Sequence, residues 1–330
     1  MISIEKRIDL LETLGKYLLS DNEQWQEAKE NAAYSNPWFT DEHIEIAVKN
    51  IADGFLDREK LNAWISNYSI PTESHKIGIV MAGNIPLVGF HDFLCGFISG
   101  HDLYLKLSSK DEVLIKHLIG KIVEWHPEAE EKIHIADTLK NCDAYIATGS
   151  NNTARYFEQY FAKYPHIIRR NRTSVAILEG NESDEELQNL AKDVFSYYGL
   201  GCRNVTQVCI PEGYDLNRLL EAFKTNDEYM LHHKYKNNYD YHLALYLLNK
   251  IPYETNGSLL MVENNRTFSA VSVLHYRYYK NINDVIQELE HSRDIQTIVG
   301  RSLTPFGTSQ TPSLNDYADR VDTMKFLCSL

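Results

Sequence analysis

Cys202 stands in the segment Tyr197-Tyr198-Gly199-Leu200-Gly201-Cys202-Arg203-Asn204-Val205, where a helical run from Glu185 to Tyr198 gives way to a strand-like run, Val205 to Ile210. Two glycines bracket one residue there, and glycine permits φ > 0 and the close approach of backbone or ligand. A thiol delivered by such a junction lies beside backbone N–H groups, which suits a nucleophile; the alternative is a small buried thiol packed at a helix end. Three more polar turns follow apolar runs: Gly83-Asn84-Ile85-Pro86, Lys106-Leu107-Ser108-Ser109-Lys110 and Gly149-Ser150-Asn151-Asn152. Doubly wound sheets bind ligands at the carboxyl ends of their strands, and all four turns are expected at such ends. No G-x-G-x-x-G or G-x-x-x-x-G-K-[ST] phosphate loop is present.

The elements that must position these turns alternate. Ile4, Ile8, Leu11, Leu14 and Leu18 recur at helical spacing, a more polar helix spans Asp21 to Ala33, and Thr40 caps a third that runs through Ile65. From Lys76 the pattern changes to short apolar runs, each followed by a helical segment. Lys76–Met81, Leu103–Leu107, Asp143–Thr148 and Thr173–Leu178 read as strands. A helix ending at Gly100, one from Asp111 to Trp125 and one from Asn152 to Tyr164 lie between or after them. Ser183-Asp184-Glu185-Glu186 has capping-box form for the helix before Cys202. Phe268–Tyr276 and Ile295–Val299 read as strands around a helix, Asn283 to Leu289, and Pro305-Phe306-Gly307-Thr308 opens an irregular loop. This alternation implies parallel α/β sheets with helices on both faces. The stretch from Tyr229 to Asn256 is dense in tyrosine, histidine and asparagine. It reads as an aromatic packing face, with a subunit contact or a substrate entrance as alternatives, and His232, His233 and His242 are expected to face solvent.

Composition narrows the class. A chain of 330 residues, 43% hydrophobic and 24% charged, fits two globular domains sharing a cleft. Its net charge of -13 argues against a nucleic-acid partner. No apolar run reaches the ~18 residues of a membrane span, and the first residues lack a signal-peptide core, so a cytoplasmic location is expected. The five cysteines are odd in number and lack C-x-x-C spacing, which fits a reducing compartment and implies no metal site.

In order and content the four turns resemble the aldehyde dehydrogenase superfamily, and within it the LuxC-like fatty acyl-CoA reductases. Asn84-Ile85-Pro86-Leu87 is similar to the segment whose asparagine amide helps form the oxyanion hole. Lys106-Leu107-Ser108-Ser109 is similar to a K-P-[AS]-[ES] segment that contacts the adenosine ribose, and Thr148-Gly149-Ser150 to the turn where the cofactor pyrophosphate meets a helix N-terminus. Gly199-Leu200-Gly201-Cys202 is similar to the G-Q-x-C nucleophile, with weaker likeness at Thr267-Phe268-Ser269 and Pro305-Phe306-Gly307-Thr308-Ser309. The resemblance covers roughly residues 75 to 325. It implies two doubly wound parallel-sheet domains with a catalytic cysteine between them: a helical segment over 1–70, a cofactor-binding domain over 71–171 completed by part of 301–330, and a catalytic domain over 172–300. It implies Cys202 and Asn84 as catalytic residues, and Lys106, Ser108, Ser109, Gly149, Ser150 and Phe268 as the cofactor seat. A homo-oligomer is implied as well.

Departures from the pattern sharpen the chemistry. The glutamate of hydrolytic relatives, carried in an E-L-G-G-K segment, is replaced here by His166-Ile167-Ile168-Arg169-Arg170-Asn171-Arg172, and Glu179 falls after the next strand. Without a base to activate water, an acyl-enzyme exchanges with another thiol instead. Arg266 stands where many relatives place the glutamate that holds the nicotinamide ribose. Ser109, flanked by Lys106 and Lys110, replaces a glutamate that would repel a 2′-phosphate, which favours NADPH. The Arg169-Arg170-Arg172 group suggests a phosphate site or, equally, a solvated strand edge. The expected activity is NADPH-dependent reduction of an acyl-CoA or acyl-carrier thioester, with fatty acyl-CoA foremost. An acyl-phosphate reductase and a non-catalytic partner in acyl transfer are the alternatives.

Overall fold

A computed structural model describes residues 2–330. The chain forms two compact units, Met1–Asn171 with Pro312–Leu330, and Arg172–Thr311.

The first unit begins with four helices: α1 (Ile4–Leu18), α2 (Glu23–Ser35), α3 (Asp41–Phe55) and α4 (Arg58–Ile65). Ser3, Asn22, Thr40 and Asp57 cap them, each side-chain oxygen accepting an orphan N–H of the first turn. The single helix expected from Thr40 through Ile65 is thus two, because Asp57 accepts the Lys60 N–H at 2.9 Å and starts a new one. Then β1 (Lys76–Val80), α5 (Phe90–Ser99), β2 (Asp102–Lys106), α6 (Glu112–Trp125), β3 (Ile133–Ile135), β4 (Ala144–Thr148), α7 (Asn151–Phe161) and β5 (His166–Arg169) alternate. Their strands form a parallel sheet in the order β3-β2-β1-β4-β5. The order reverses between β1 and β4, which opens a crevice at their carboxyl ends. Phe90, Phe93, Leu94, Cys95, Phe97 and Ile98 of α5 are all buried, so that helix is the core of the unit.

The second unit contains β6 (Thr173–Ile177), α8 (Asp184–Phe195), β7 (Val205–Pro211), α9 (Leu216–Phe223), α10 (His233–Asn249), β8 (Glu254–Thr255), β9 (Leu260–Glu263), β10 (Val273–Tyr279), α11 (Ile282–His291) and β11 (Ile295–Val299). The sheet order is β11-β6-β7-β10-β9-β8, parallel except for the β8–β9 pair. Ser183 and Glu186 form the expected capping box at α8. The strand expected from Phe268 starts only at Val273, because Ser272 has φ 65° and the Val273 N–H closes a turn on the Ala270 carbonyl. In the Tyr-rich stretch Tyr235 and Tyr239 are buried, while Tyr241, Leu245 and Leu248 lie exposed along α10. His232 does not face solvent as expected: it caps α10 and stacks on Tyr198 with ring centroids 4.4 Å apart. After Thr311 the chain rejoins the first unit, where α12 (Thr323–Cys328) buries Met324 and Leu327 against α5. No helix among the described residues is long and apolar enough to cross a membrane.

Candidate active site

Cys202 occupies the first corner of a tight turn. The Asn204 N–H donates to the Gly201 carbonyl at 3.1 Å, leaving Cys202 and Arg203 as the two corners, and the thiol-bearing residue is half-buried. The approach to this turn is strained. Helix α8 stops at Phe195, and Tyr197, Tyr198 and Gly199 follow with φ of 54°, 56° and 75°. Glycine accepts this region freely, but each tyrosine costs about 1–2 kcal/mol there. The helical run expected to reach Tyr198 therefore ends three residues early. The left-handed backbone expected of the glycines falls mainly on two tyrosines, both held by burial. Burial also pushes up the thiols of Cys95, Cys142, Cys209 and Cys328, which makes them poorer sources of thiolate.

The sheet edge is not the expected one. The Cys202 turn precedes β7 and so stands at the amino ends of β6 and β7, where the Ser174 hydroxyl donates to the Cys202 carbonyl at 3.2 Å. Only the turns at Asn84, Lys106 and Gly149 follow their strands. Glu179, by contrast, follows β6 at the opposite, carboxyl edge. Five residues of extended chain beyond Ser174 put it roughly 16 Å from the turn. Its backbone N–H is held by the buried Glu182 carboxylate and its own carboxylate faces Arg301, 3.9 Å away. Arg203, beside the thiol, reaches Thr297 on β11 at 3.2 Å.

In the first unit, the Asn84 turn is locked to the turn after β2. A Cβ on Gly83 would lie 2.5 Å from the Ser108 hydroxyl, so only glycine lets the two turns meet. Leu87 has φ 57°, and its N–H donates to Asp111 Oδ2 at 2.7 Å. Asp111 is buried and its Oδ1 has no hydrogen-bond partner. Burial raises its pKa well above the ordinary carboxylate range, against the smaller opposing effect of the Leu87 N–H. Ser108 Oγ accepts the Lys110 N–H at 3.3 Å, so this hydroxyl shapes its own turn. Lys106, Ser109 and Lys110 are exposed, and neither lysine is engaged by a carboxylate among the described residues. Ser150 caps α7 through the Thr153 N–H, and the Gly149 N–H donates to Arg169.

Beside Lys106 lies a cleft of about 530 Å³ lined by Val80, Lys106, Leu139, Tyr156, Phe157 and Tyr160 among others. Val80 and Lys106 are the last residues of β1 and β2, and the aromatics project from α7. An apolar, aromatic-walled cleft with a lysine at its edge is chemically suited to an adenosine ring beside a phosphate. Lys106 is expected here from its motif; the aromatic wall is not, although Tyr156, Phe157 and Tyr160 recur at helical spacing on a polar helix. Arg169 is not available to phosphate: it is 4% exposed and paired with Asp92, with Thr323 as second partner. Arg170 pairs with Glu158.

Two further segments of the second unit are fixed by buried polar groups. Gln207 Nε2 donates to the carbonyls of Asn264 and Arg266 at 2.9 and 3.1 Å, His275 Nδ1 meets the same Arg266 carbonyl at 2.8 Å, and Thr206 binds that of Thr267. Phe268 rides on this anchored loop, 37% exposed. Burial lowers the His275 pKa, partly offset by the Arg266 carbonyl. Asp193 of α8 receives the N–H groups of Gly307 and Ser309 at 2.6 and 3.0 Å, which pins the loop from Pro305 to Ser309. Asn84, Lys106, Ser108, Ser109, Gly149 and Ser150 thus share the carboxyl edge of one unit, and Cys202 and Phe268 belong to the other. No group of three or more His, Cys, Asp or Glu able to hold a metal occurs among the described residues.

Comparison with known proteins bears on this arrangement. The family model described as Acyl-CoA reductase (LuxC) matches residues 3–222. Among solved structures, aldehyde dehydrogenase 21 from Physcomitrella patens in complex with succinate is similar with a TM-score of 0.68 at 12% identity, over 91% of this chain and 74% of that one. Succinic semialdehyde dehydrogenase from Streptococcus pyogenes in complex with NADP+ is similar with a TM-score of 0.65 at 15% identity, over 90% and 76%. A Mycobacterium tuberculosis aldehyde dehydrogenase complexed with NAD+ gives 0.60 at 12%, over 86% and 70%. At these identities the likeness establishes the aldehyde dehydrogenase fold. No curated protein matches the chain.

Proposed function

Because this chain belongs to the acyl-CoA reductase (LuxC) family of oxidoreductases, we propose that it reduces an acyl-CoA thioester, fatty acyl-CoA foremost, to the aldehyde, with NADPH as reductant and Cys202 as nucleophile. The observation that carries this reading is the placement of Cys202: a half-buried thiol on a rigid turn, with Glu179 held at the far edge of the sheet by its own partners. A thiol so placed accepts an acyl group, and the missing base leaves the acyl-enzyme to exchange with CoA rather than with water.

In this mechanism the Cys202 thiolate adds to the thioester carbonyl carbon. Hydrogen bonds from the Asn84 amide, assigned by the likeness of its segment, and from the Cys202 N–H hold the oxyanion. Loss of one such donor costs on the order of 3–4 kcal/mol in the transition state. The oxyanion collapses, the bond to the CoA sulfur breaks, and a thioester on Cys202 remains. The bound nicotinamide supplies the hydride. Cys202 then leaves as thiolate while the aldehyde carbonyl forms, so that acyl-CoA, NADPH and a proton give aldehyde, CoA and NADP+. Lys106, Ser109 and Lys110 suit a 2′-phosphate because two cations and a hydroxyl, with no carboxylate, present charge-assisted donors. The cleft beside Lys106 would take the adenine.

The test is a panel of acyl-CoAs with NADPH and NADH, read by aldehyde formation and by the mass of the enzyme-bound acyl group. Wild type should gain one acyl group and prefer NADPH, and Cys202→Ala should do neither acylation nor reduction. Normal turnover by Cys202→Ala, or reduction of an acyl phosphate in place of every thioester, would overturn the proposal.

A further inference from the structure

Asn204 is fully buried two residues after Cys202, and its side chain is divided between two tasks. Oδ1 accepts the Gly201 N–H at 2.8 Å, while the Asn204 N–H donates to the Gly201 carbonyl at 3.1 Å. Gly201 and Asn204 therefore clasp each other across the turn whose corners are Cys202 and Arg203. Nδ2 turns the other way, to the carbonyls of Asp193, Val194 and Ser196 at 3.1, 3.4 and 2.8 Å. These belong to the end of α8, where carbonyls lack helical donors. The amide thus bridges from Ser196 to Gly201 and spans the whole left-handed stretch between them. Only a carboxamide supplies both an acceptor and two donors in this space. The chain of contacts continues past Asn204: the same Asp193 whose carbonyl it binds holds Gly307 and Ser309 through its carboxylate.

We propose that Asn204 is the positioning residue of the nucleophile turn, setting the direction in which the Cys202 N–H and Sγ are presented to an acyl carbonyl. This rests on Cys202 being the nucleophile. Acyl transfer builds charge on a carbonyl oxygen and needs the thiolate and the backbone donor aligned together. Alkylation by iodoacetamide needs only an accessible thiolate. The two reactions separate alignment from accessibility.

Asn204→Asp is nearly isosteric, keeping an acceptor for Gly201 and losing the amide donors; Asn204→Ala loses both. For each variant three quantities are measured: acyl-enzyme formation with octanoyl-CoA, iodoacetamide labelling mapped to Cys202, and the thermal midpoint. Acylation should fall at least tenfold in Asn204→Asp and about a hundredfold in Asn204→Ala, while labelling stays within about threefold of wild type. Unchanged acylation overturns the proposal. So does a parallel fall of both rates that follows the thermal midpoint, and so does failure of both variants to fold, since Asn204 would then serve the fold as a whole. Acylation of Cys202→Ala, measured alongside, would instead overturn the assignment of the nucleophile.

Discussion

Leu87 is a β-carbon residue at φ 57°, and the buried Asp111 carboxyl is what holds it there. Three residues upstream lies Asn84, so the carboxyl fixes the turn that presents this amide. An acid whose folded pKa lies above its unfolded value binds its proton more tightly when folded. Its contribution is fully present at low pH and is lost as pH rises beyond the usual carboxylate range. Asp111→Asn keeps the acceptor for Leu87 and removes the titration. The difference in unfolding free energy between Asp111→Asn and wild type should therefore grow in favour of the variant from pH 5 to pH 8, as denaturant titrations would show. A constant or shrinking difference would mean that Asp111 is ionised in the folded protein. The turns that carry Cys202 and Asn84 stand out in the sequence because each is a short motif with glycine or proline beside it. Asp111, Asn204 and Gln207 do not, because their partners are backbone groups whose approach is decided only when the chain folds.

Helix α7 shows the same contrast one level up. Its start was legible from Gly149-Ser150, and Ser150 does cap it. The use of its outer face was not, since Tyr156 and Tyr160 acquire meaning only when β1 and β2 bring Val80 and Lys106 alongside. Tyr160 is 66% exposed, so its truncation leaves the core intact. Tyr160→Ala should weaken NADPH binding about tenfold, in line with ~1–3 kcal/mol for stacking of a base on an aromatic ring. Calorimetric titration would measure this, and unchanged affinity would remove the aromatic wall from the cofactor seat. Strands β3 and β5 do not stand out in the sequence because each is short. In β5 the polar ends His166 and Arg169 disguise an apolar pair, and the charge of Arg169 is neutralised inside by Asp92.

At the scale of the whole chain, Arg172–Thr311 is an uninterrupted unit set within a discontinuous one. The first unit needs its last stretch: Trp64 Nε1 donates to the Tyr317 hydroxyl at 2.9 Å, and His101 Nε2 meets the Leu327 carbonyl at 3.0 Å. Removing residues 312–330 should therefore melt the first unit while the second keeps its amide-exchange protection, which hydrogen-exchange mass spectrometry would resolve. Equal loss across both units would show that they unfold together. The acidic balance of the chain, -13, was the feature most directly legible at this scale, and it counts against a nucleic-acid partner.

The packing of α12 on α5 also sets a timetable. A ribosome finishes α5 more than two hundred residues before it makes the helix that covers it, and finishes all of Arg172–Thr311 in between. At ~5–20 residues per second, the phenylalanine-rich α5 waits on the order of 10–45 s for its last partner. The usual order of birth is then inverted: the later-made unit is the first that can close. During that interval the nascent chain presents the face of α5 that Met324 and Leu327 later cover, and it is then that a chaperone would find it.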